Sequence, residues 1–267
     1  MLTTTPIRMS TLTPDRRTTA PTGPQLTTIS VRRTEDEGAV RVGLGASGGP
    51  GRPVIRPMLL AVDERRARVA LVPDGALLLA DDAVAIHIDV GPGAGLELIE
   101  PAGTVAYDMR GGRATWDVDV RLGQGATLTW AGEPFVVAAG ALVRRTTTVQ
   151  VADGATLALR ETLVLGRSGE PAGQVRQRTA AVDEHGDPLL VEELALDADR
   201  AVMLLGGKRV VDTVMVLGAR VPELAGTLGC HRFDLERSGT VLRRLADEAH
   251  RGLADAHWAA AVDTIAR

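Results

Sequence analysis

Cysteine is nearly absent from this chain: Cys230 is the only one in 267 residues. No intrachain disulfide can form, and a reduced setting fits. Lysine is as rare, with Lys208 alone, and the formal net charge is −4. Phosphate binding relies on clustered Lys and Arg, so this balance argues against a nucleic-acid partner. Aromatic residues make up only 2%, so the core must rest on Val, Leu, Ala and Ile. No apolar run reaches the roughly 18 residues of a membrane helix, and the first residues lack the apolar segment of a signal peptide. The expectation is a soluble, cytoplasmic protein with no membrane partner. Catalytic signatures are missing as well: there is no G-x-S-x-G elbow, no H-E-x-x-H, no C-x-x-C and no dinucleotide fingerprint. The glycine-rich stretch Gly45–Gly51 is followed by no Gly-Lys-Ser/Thr, so it reads as a surface loop rather than a phosphate cradle.

What the chain does have is a repeated phrase. Val120 and Leu122 precede Gly125-Ala126-Thr127-Leu128, and Trp130 follows; Val149 and Val151 precede Gly154-Ala155-Thr156-Leu157, and Leu159 follows. Upstream, Ile88 and Val90 precede Gly93-Ala94-Gly95-Leu96, and Leu98 follows. A fainter copy is Pro73-Asp74-Gly75-Ala76. Alternation on both sides of a bend predicts strand, tight turn, strand, with the glycine supplying a positive φ at no steric cost. The spacing predicts a mainly β fold of stacked or layered hairpins, an irregular β-superhelix or a sandwich.

Residues 1–29 are rich in Thr, Pro and Arg and predict a disordered tail. Residues 30–267 predict a single β-rich domain. Strands are expected at Thr28–Arg32, Ala39–Leu44, Pro57–Val62, Ala67–Val72 and Ala83–Val90, with Glu35–Gly38 as a charged turn. The β pattern continues through Gln174–Val182, Leu189–Ala195, Ala201–Leu205 and Thr213–Leu217. A short pair of helices, Thr240–Arg251 and Ala254–Ala266, is expected to close the chain at about 240–266.

Several polar groups stand out. Asp81-Asp82 and the acidic run Asp183–Asp187 around His185 have metal-ligand chemistry but read first as solvated turns. Cys230 and His231, adjacent on a strand, point to opposite faces and do not share a metal. Glu133 and Glu161 lie amid apolar sequence, where an unpaired carboxylate is costly. Arg160 or Arg167 is the expected neutralising partner of Glu161, and a plain structural pair stays open beside a role in a polar channel. A β-rich hydrolase or isomerase using Glu133 and Glu161 as an acid/base pair also stays open.

The stretch Gly125–Phe135 (GATLTWAGEPF), Gly140-Ala141 and Arg160–Glu170 (RETLVLGRSGE) resembles the urease accessory protein family UreD, also called UreH, in an actinobacterial-type branch. The resemblance runs from about Pro57 to Glu193, and more faintly over the C-terminal helices. In place of the family's His-Pro-Pro-Gly-Gly segment stands Pro73–Asp82, and Thr129 replaces the Glu of Leu-Glu-Trp. The resemblance implies a β-rich fold and a non-enzymatic role. It implies complexes with the accessory proteins UreF and UreG, docking on apo-urease subunits and help with nickel delivery to the urease active site. It implies no tightly bound cofactor, only transient nickel, moving through an internal water-filled channel. Glu133, Glu161 and Glu170 are the expected transient nickel ligands, since oxygen ligands hold nickel weakly enough to pass it on.

Overall fold

The computed structural model describes residues 25–34, 40–49, 54–75, 78–224, 229–248 and 255–266. The expected tail up to residue 24 and the Glu35–Gly38 turn lie outside them. Two hairpins come first: β1 (Gln25–Arg33) with β2 (Val40–Ser47), and β3 (Val54–Val62) with β4 (Arg66–Asp74). Residues 25–29, expected in the tail, therefore belong to a strand, and its parallel pairing with the fifth strand seats Ile29 and Val31 in the core.

Three coils follow. The first is β5 (Ala83–Val90), β6 (Gly95–Ile99) and the short β7 (Thr104–Ala106); the second is β8 (Ala114–Leu122), β9 (Thr127–Ala131) and β10 (Phe135–Val137). The third is β11 (Leu142–Val151) and β12 (Thr156–Leu165). The hairpin β13 (Gln174–Asp183) with β14 (Pro188–Leu196), helix α1 (Ala198–Leu205), strands β15 (Val210–Leu217), β16 (Cys230–Asp234) and β17 (Gly239–Ala246), and helix α2 (Asp255–Ile265) complete the molecule.

The strands form two facing sheets. One runs β14-β13-β11-β8-β5-β1-β2; the other runs β16-β17-β15-β12-β9-β6-β4-β3, with β7 and β10 paired beside β12. The fold is the expected stacked β arrangement, but the repeat unit pairs differently from a hairpin. Each Gly-Ala turn carries the chain from the first sheet to the second, and each strand pairs in parallel with its counterpart in the next coil. The physical reason is the stacking of the turns themselves. Gly93 N–H donates to the Gln124 carbonyl and Gly125 N–H to the Asp153 carbonyl, at 2.9 and 3.0 Å. Thr127 N–H then donates to Ala94 and Thr156 N–H to Ala126. The turn glycines have φ of +62, +63 and +67°, as the sequence predicts.

This register builds the core. Leu96, Leu128 and Leu157 stand side by side, as do Ile88, Val120 and Val149, all sealed between the sheets. Burial of each such leucine contributes about 2–3 kcal/mol.

Two helix assignments change. Thr240–Arg251 reads as an amphipathic helix, yet Gly239–Ala246 is strand β17, paired with β15 on one side and β16 on the other. Val241 faces the inter-sheet core while Leu242 joins the smaller cluster beneath α2, so both faces are used and strand alternation wins. Conversely, Ala201–Leu205, read as strand, lies in α1. Asp197 caps it by accepting from Arg200 N–H at 2.8 Å, and Gly206 ends it with φ +60°. The expected terminal helix is present as α2, which packs Ala261 and Ile265 on the outer face of the second sheet. Among the described residues no helix is long and apolar enough to cross a membrane.

Candidate functional site

The second sheet is interrupted in two neighbouring coils. Glu100–Gly103 separates β6 from β7, and Gly132–Pro134 separates β9 from β10, while β12 passes both breaks without interruption. Backbones approach closely here. A Cβ on Gly132 would sit 2.5 Å from the Arg160 carbonyl oxygen, and one on Gly103 would sit 2.5 Å from that of Pro134, so both positions need glycine. Behind the breaks lies a cavity of about 30 Å³, bounded by Glu100, Glu133, Arg145, Glu161 and the rings of Trp116, Trp130 and Phe135. That is room for one or two waters.

Alternation along β12 decides what faces this cavity. Leu157, Leu159, Glu161 and Leu163 point between the sheets, whereas Ala158 lies on the opposite face, under α2. Glu161 therefore meets β11 and β13. Its Oε1 accepts from Arg145 Nη2 at 2.9 Å, and its Oε2 accepts from Gln177 Nε2 at 3.2 Å. Arg145 Nη1 also donates to Gln177 Oε1 at 3.0 Å. Arg145 is only 8% exposed, and its guanidinium lies 4.3 Å from the centre of the Phe135 ring. That ring meets Trp116 edge to face at 5.6 Å.

Neither arginine expected to neutralise Glu161 does so. Arg160, next along the strand, points to the other face and binds Asp212 and Asp255. Arg167 is tied to Glu170 at the surface. The partner comes instead from β11, because adjacent strand residues face opposite ways while residues in facing sheets meet.

Glu100 is the site carboxylate that the sequence reading missed. Its pKa is pushed up to about 7, first by burial; hydrogen bonds from Trp130 Nε1 (2.8 Å) and Glu133 N–H (3.2 Å) and the charge of Arg145 oppose the shift. A signal was available: Glu100 and Glu161 each stand seven positions after the glycine of their repeat, Gly93 and Gly154. The raised pKa sets a pH dependence. Both folded and unfolded chains hold this proton below about pH 4. As pH rises toward 7 the unfolded chain loses it first, so this group's contribution to stability falls across that window. Glu100→Gln should remove this contribution and leave the variant more stable above pH 7, by on the order of 2 kcal/mol after allowing for partial exposure. Urea unfolding at pH 5 and pH 8 measures it; an unchanged pH slope would show that Glu100 keeps an ordinary pKa.

The polar interior continues past Glu161. A second cavity, of about 10 Å³, shares Glu161 with the first and adds Gln177, Thr179, Glu192, Thr213 and Arg243. Arg243 holds Glu192 through both Nη atoms at 2.6 and 2.7 Å and reaches Thr213 Oγ1 at 3.2 Å. Glu161, Thr213 and Arg243 are in register on neighbouring strands. A row of polar side chains thus runs along the stack inside an otherwise apolar core, from Glu100 to Arg243.

The predicted site residues divide. Glu161 lies inside this corridor and Glu133 stands exposed at its mouth. Glu170 lines neither corridor cavity; Arg167 holds its pKa below the usual carboxylate range. Asp82 is structural, accepting from Gln25 and from Leu79 N–H. Asp183 organises its own turn through His185 and Asp187 N–H and pairs with Arg237. Cys230 is partly buried, which raises its thiol pKa. Among the described residues no three His, Cys, Asp or Glu side chains converge as a metal site.

Residues 44–264 match the family model for the UreD urease accessory protein. The chain belongs to this family. A urease accessory protein UreD of Streptomyces griseus is 44% identical over 239 residues, covering 85% of this chain and 91% of the relative. One from Frankia alni is 33% identical over 250 residues, covering 84% and 78% of the two chains. One from Saccharopolyspora erythraea is 31% identical over 239 residues, covering 82% and 92%. The expected actinobacterial-type family placement stands, and the match begins upstream of Pro57 and takes in the C-terminal region where the resemblance is fainter.

Proposed function

We propose that the chain acts in urease maturation as a non-enzymatic docking body. It binds apo-urease together with UreF and UreG and passes nickel toward the urease active site. Membership of the accessory family supports the maturation role. The observation that carries the delivery role is the corridor, with Glu161 at the junction of its two cavities. Oxygen donors spaced along a passage bind a borderline cation without trapping it. The acid/base alternative gains no support from the geometry, since Arg145 and Gln177 occupy both oxygens of Glu161.

The test is nickel per urease active site after maturation with Glu161→Gln. Glutamine keeps the shape and one acceptor oxygen, which serves either Arg145 or Gln177; alanine removes both acceptors and strands Arg145, a buried charge without its partner, at about 3–5 kcal/mol. Nickel content, read by mass spectrometry, should fall roughly tenfold or more while UreF and UreG still co-purify. Full nickel loading by an intact complex would take the corridor off the delivery route.

A further inference from the structure

The corridor already contains a cation. Arg145 takes the position on Glu161 that a metal ion would take, with one guanidinium nitrogen 2.9 Å from the carboxylate. A divalent ion and a guanidinium repel each other strongly at such range in a poorly solvated interior. The two cannot share Glu161, so passage of a metal requires the arginine to leave. The structure holds the elements of a second resting place. Glu100 lines the same cavity as Arg145 and Glu161. The Arg145 Nε–H is buried and without an acceptor in its present position, so donor capacity remains for another carboxylate. The Phe135 face at 4.3 Å offers the guanidinium a surface that is kept through a small swing. Gln177 Nε2 stays on Glu161 when the arginine goes.

We propose that Arg145 gates the corridor against cations, and that a divalent metal ion reaches Glu161 only when the guanidinium exchanges from Glu161 to Glu100. The inference rests on the reading that the corridor carries nickel, and it adds what controls entry. Free metal ions are excluded while the gate is shut. A rearrangement that favours the Glu100 position, such as a partner closing on the exposed Glu133 mouth, opens it.

Equilibrium dialysis of the purified full chain against Ni²⁺ tests the gate. Arg145→Gln should bind one Ni²⁺ about tenfold more tightly than the native chain, and the added Glu161→Gln change should abolish the gain. A folded Arg145→Gln variant that binds Ni²⁺ no better than the native chain overturns the proposal. Should Arg145→Gln fail to fold, Glu100→Gln carries the test, because it removes the ionisable carboxyl that receives the guanidinium without changing the shape. Its nickel delivery to urease should slow about fivefold or more; delivery at the native rate overturns the exchange. The two ideas fail separately. Full delivery by Glu161→Gln removes the nickel route, whereas unimproved binding by Arg145→Gln removes the gate and leaves the route.

Discussion

Asp212→Ala is expected to lower the melting temperature by about 10 °C or more and to loosen the C-terminal helix. Asp212 is fully buried on β15. It accepts from Arg160 Nε at 3.2 Å, Arg160 Nη2 at 2.9 Å and Thr162 Oγ1 at 2.9 Å. Alanine leaves a guanidinium and a hydroxyl in an apolar setting with too few acceptors, and breaking a buried pair in this way costs about 3–5 kcal/mol. Arg160 also holds Asp255, the first residue of α2, at 2.9 Å, so the loss reaches the helix. Asp255 is itself 73% exposed, and Asp255→Ala should cost less than about 1 kcal/mol. Calorimetry and the protease sensitivity of α2 measure both. Equal small effects from the two variants would show that water takes over the role of Asp212.

Gly218→Ala should cost about 3–5 kcal/mol, from left-handed backbone strain and steric overlap together. Gly218 has φ +78°, and a Cβ there would stand 2.0 Å from the Ala155 carbonyl oxygen. Ala155 belongs to the turn of the third coil, whose backbone is fixed by hydrogen bonds from Ala155 N–H to Ala152 and Thr156 N–H to Ala126. Neither side can retreat cheaply. Gly125 is the control: its φ is +63°, but a Cβ would meet nothing within 4 Å, so Gly125→Ala should cost only about 1–2 kcal/mol. Urea unfolding of both variants separates strain from overlap. Similar losses would mean that the third turn yields.

The sequence carried the stacked β character of the body, because the Gly-Ala-x-Leu phrase recurs with matched alternation around Gly93, Gly125 and Gly154. It did not carry the pairing. Strand-turn-strand looks the same whether the two strands bond to each other or to separate neighbours, and that choice is made by contacts between coils. Glu161 was legible as a carboxylate in apolar surroundings. Arg145 was missed, although alternation with Val143, Val149 and Val151 places it on the inward face of β11 and its neighbour Arg144 on the outward one. α1 was missed although Asp197, Asp199 and Gly206 give it a capped helix signature; its apolar run Val202–Leu205 outweighed the caps. Thr240–Ala246 failed the other way: its local periodicity fits a helix, and two flanking strands, β15 and β16, overrode it.

The row from Glu100 to Arg243 advances by whole strands, because it follows the pairing direction from β6 through β9, β12 and β15 to β17. Its span is therefore counted in steps of about 4.8 Å, close to 20 Å for the four steps. Adding or deleting one coil would change the distance between its two ends by a single increment and leave the cross-section untouched. A relative with an extra coil would carry the same polar row, longer by one strand.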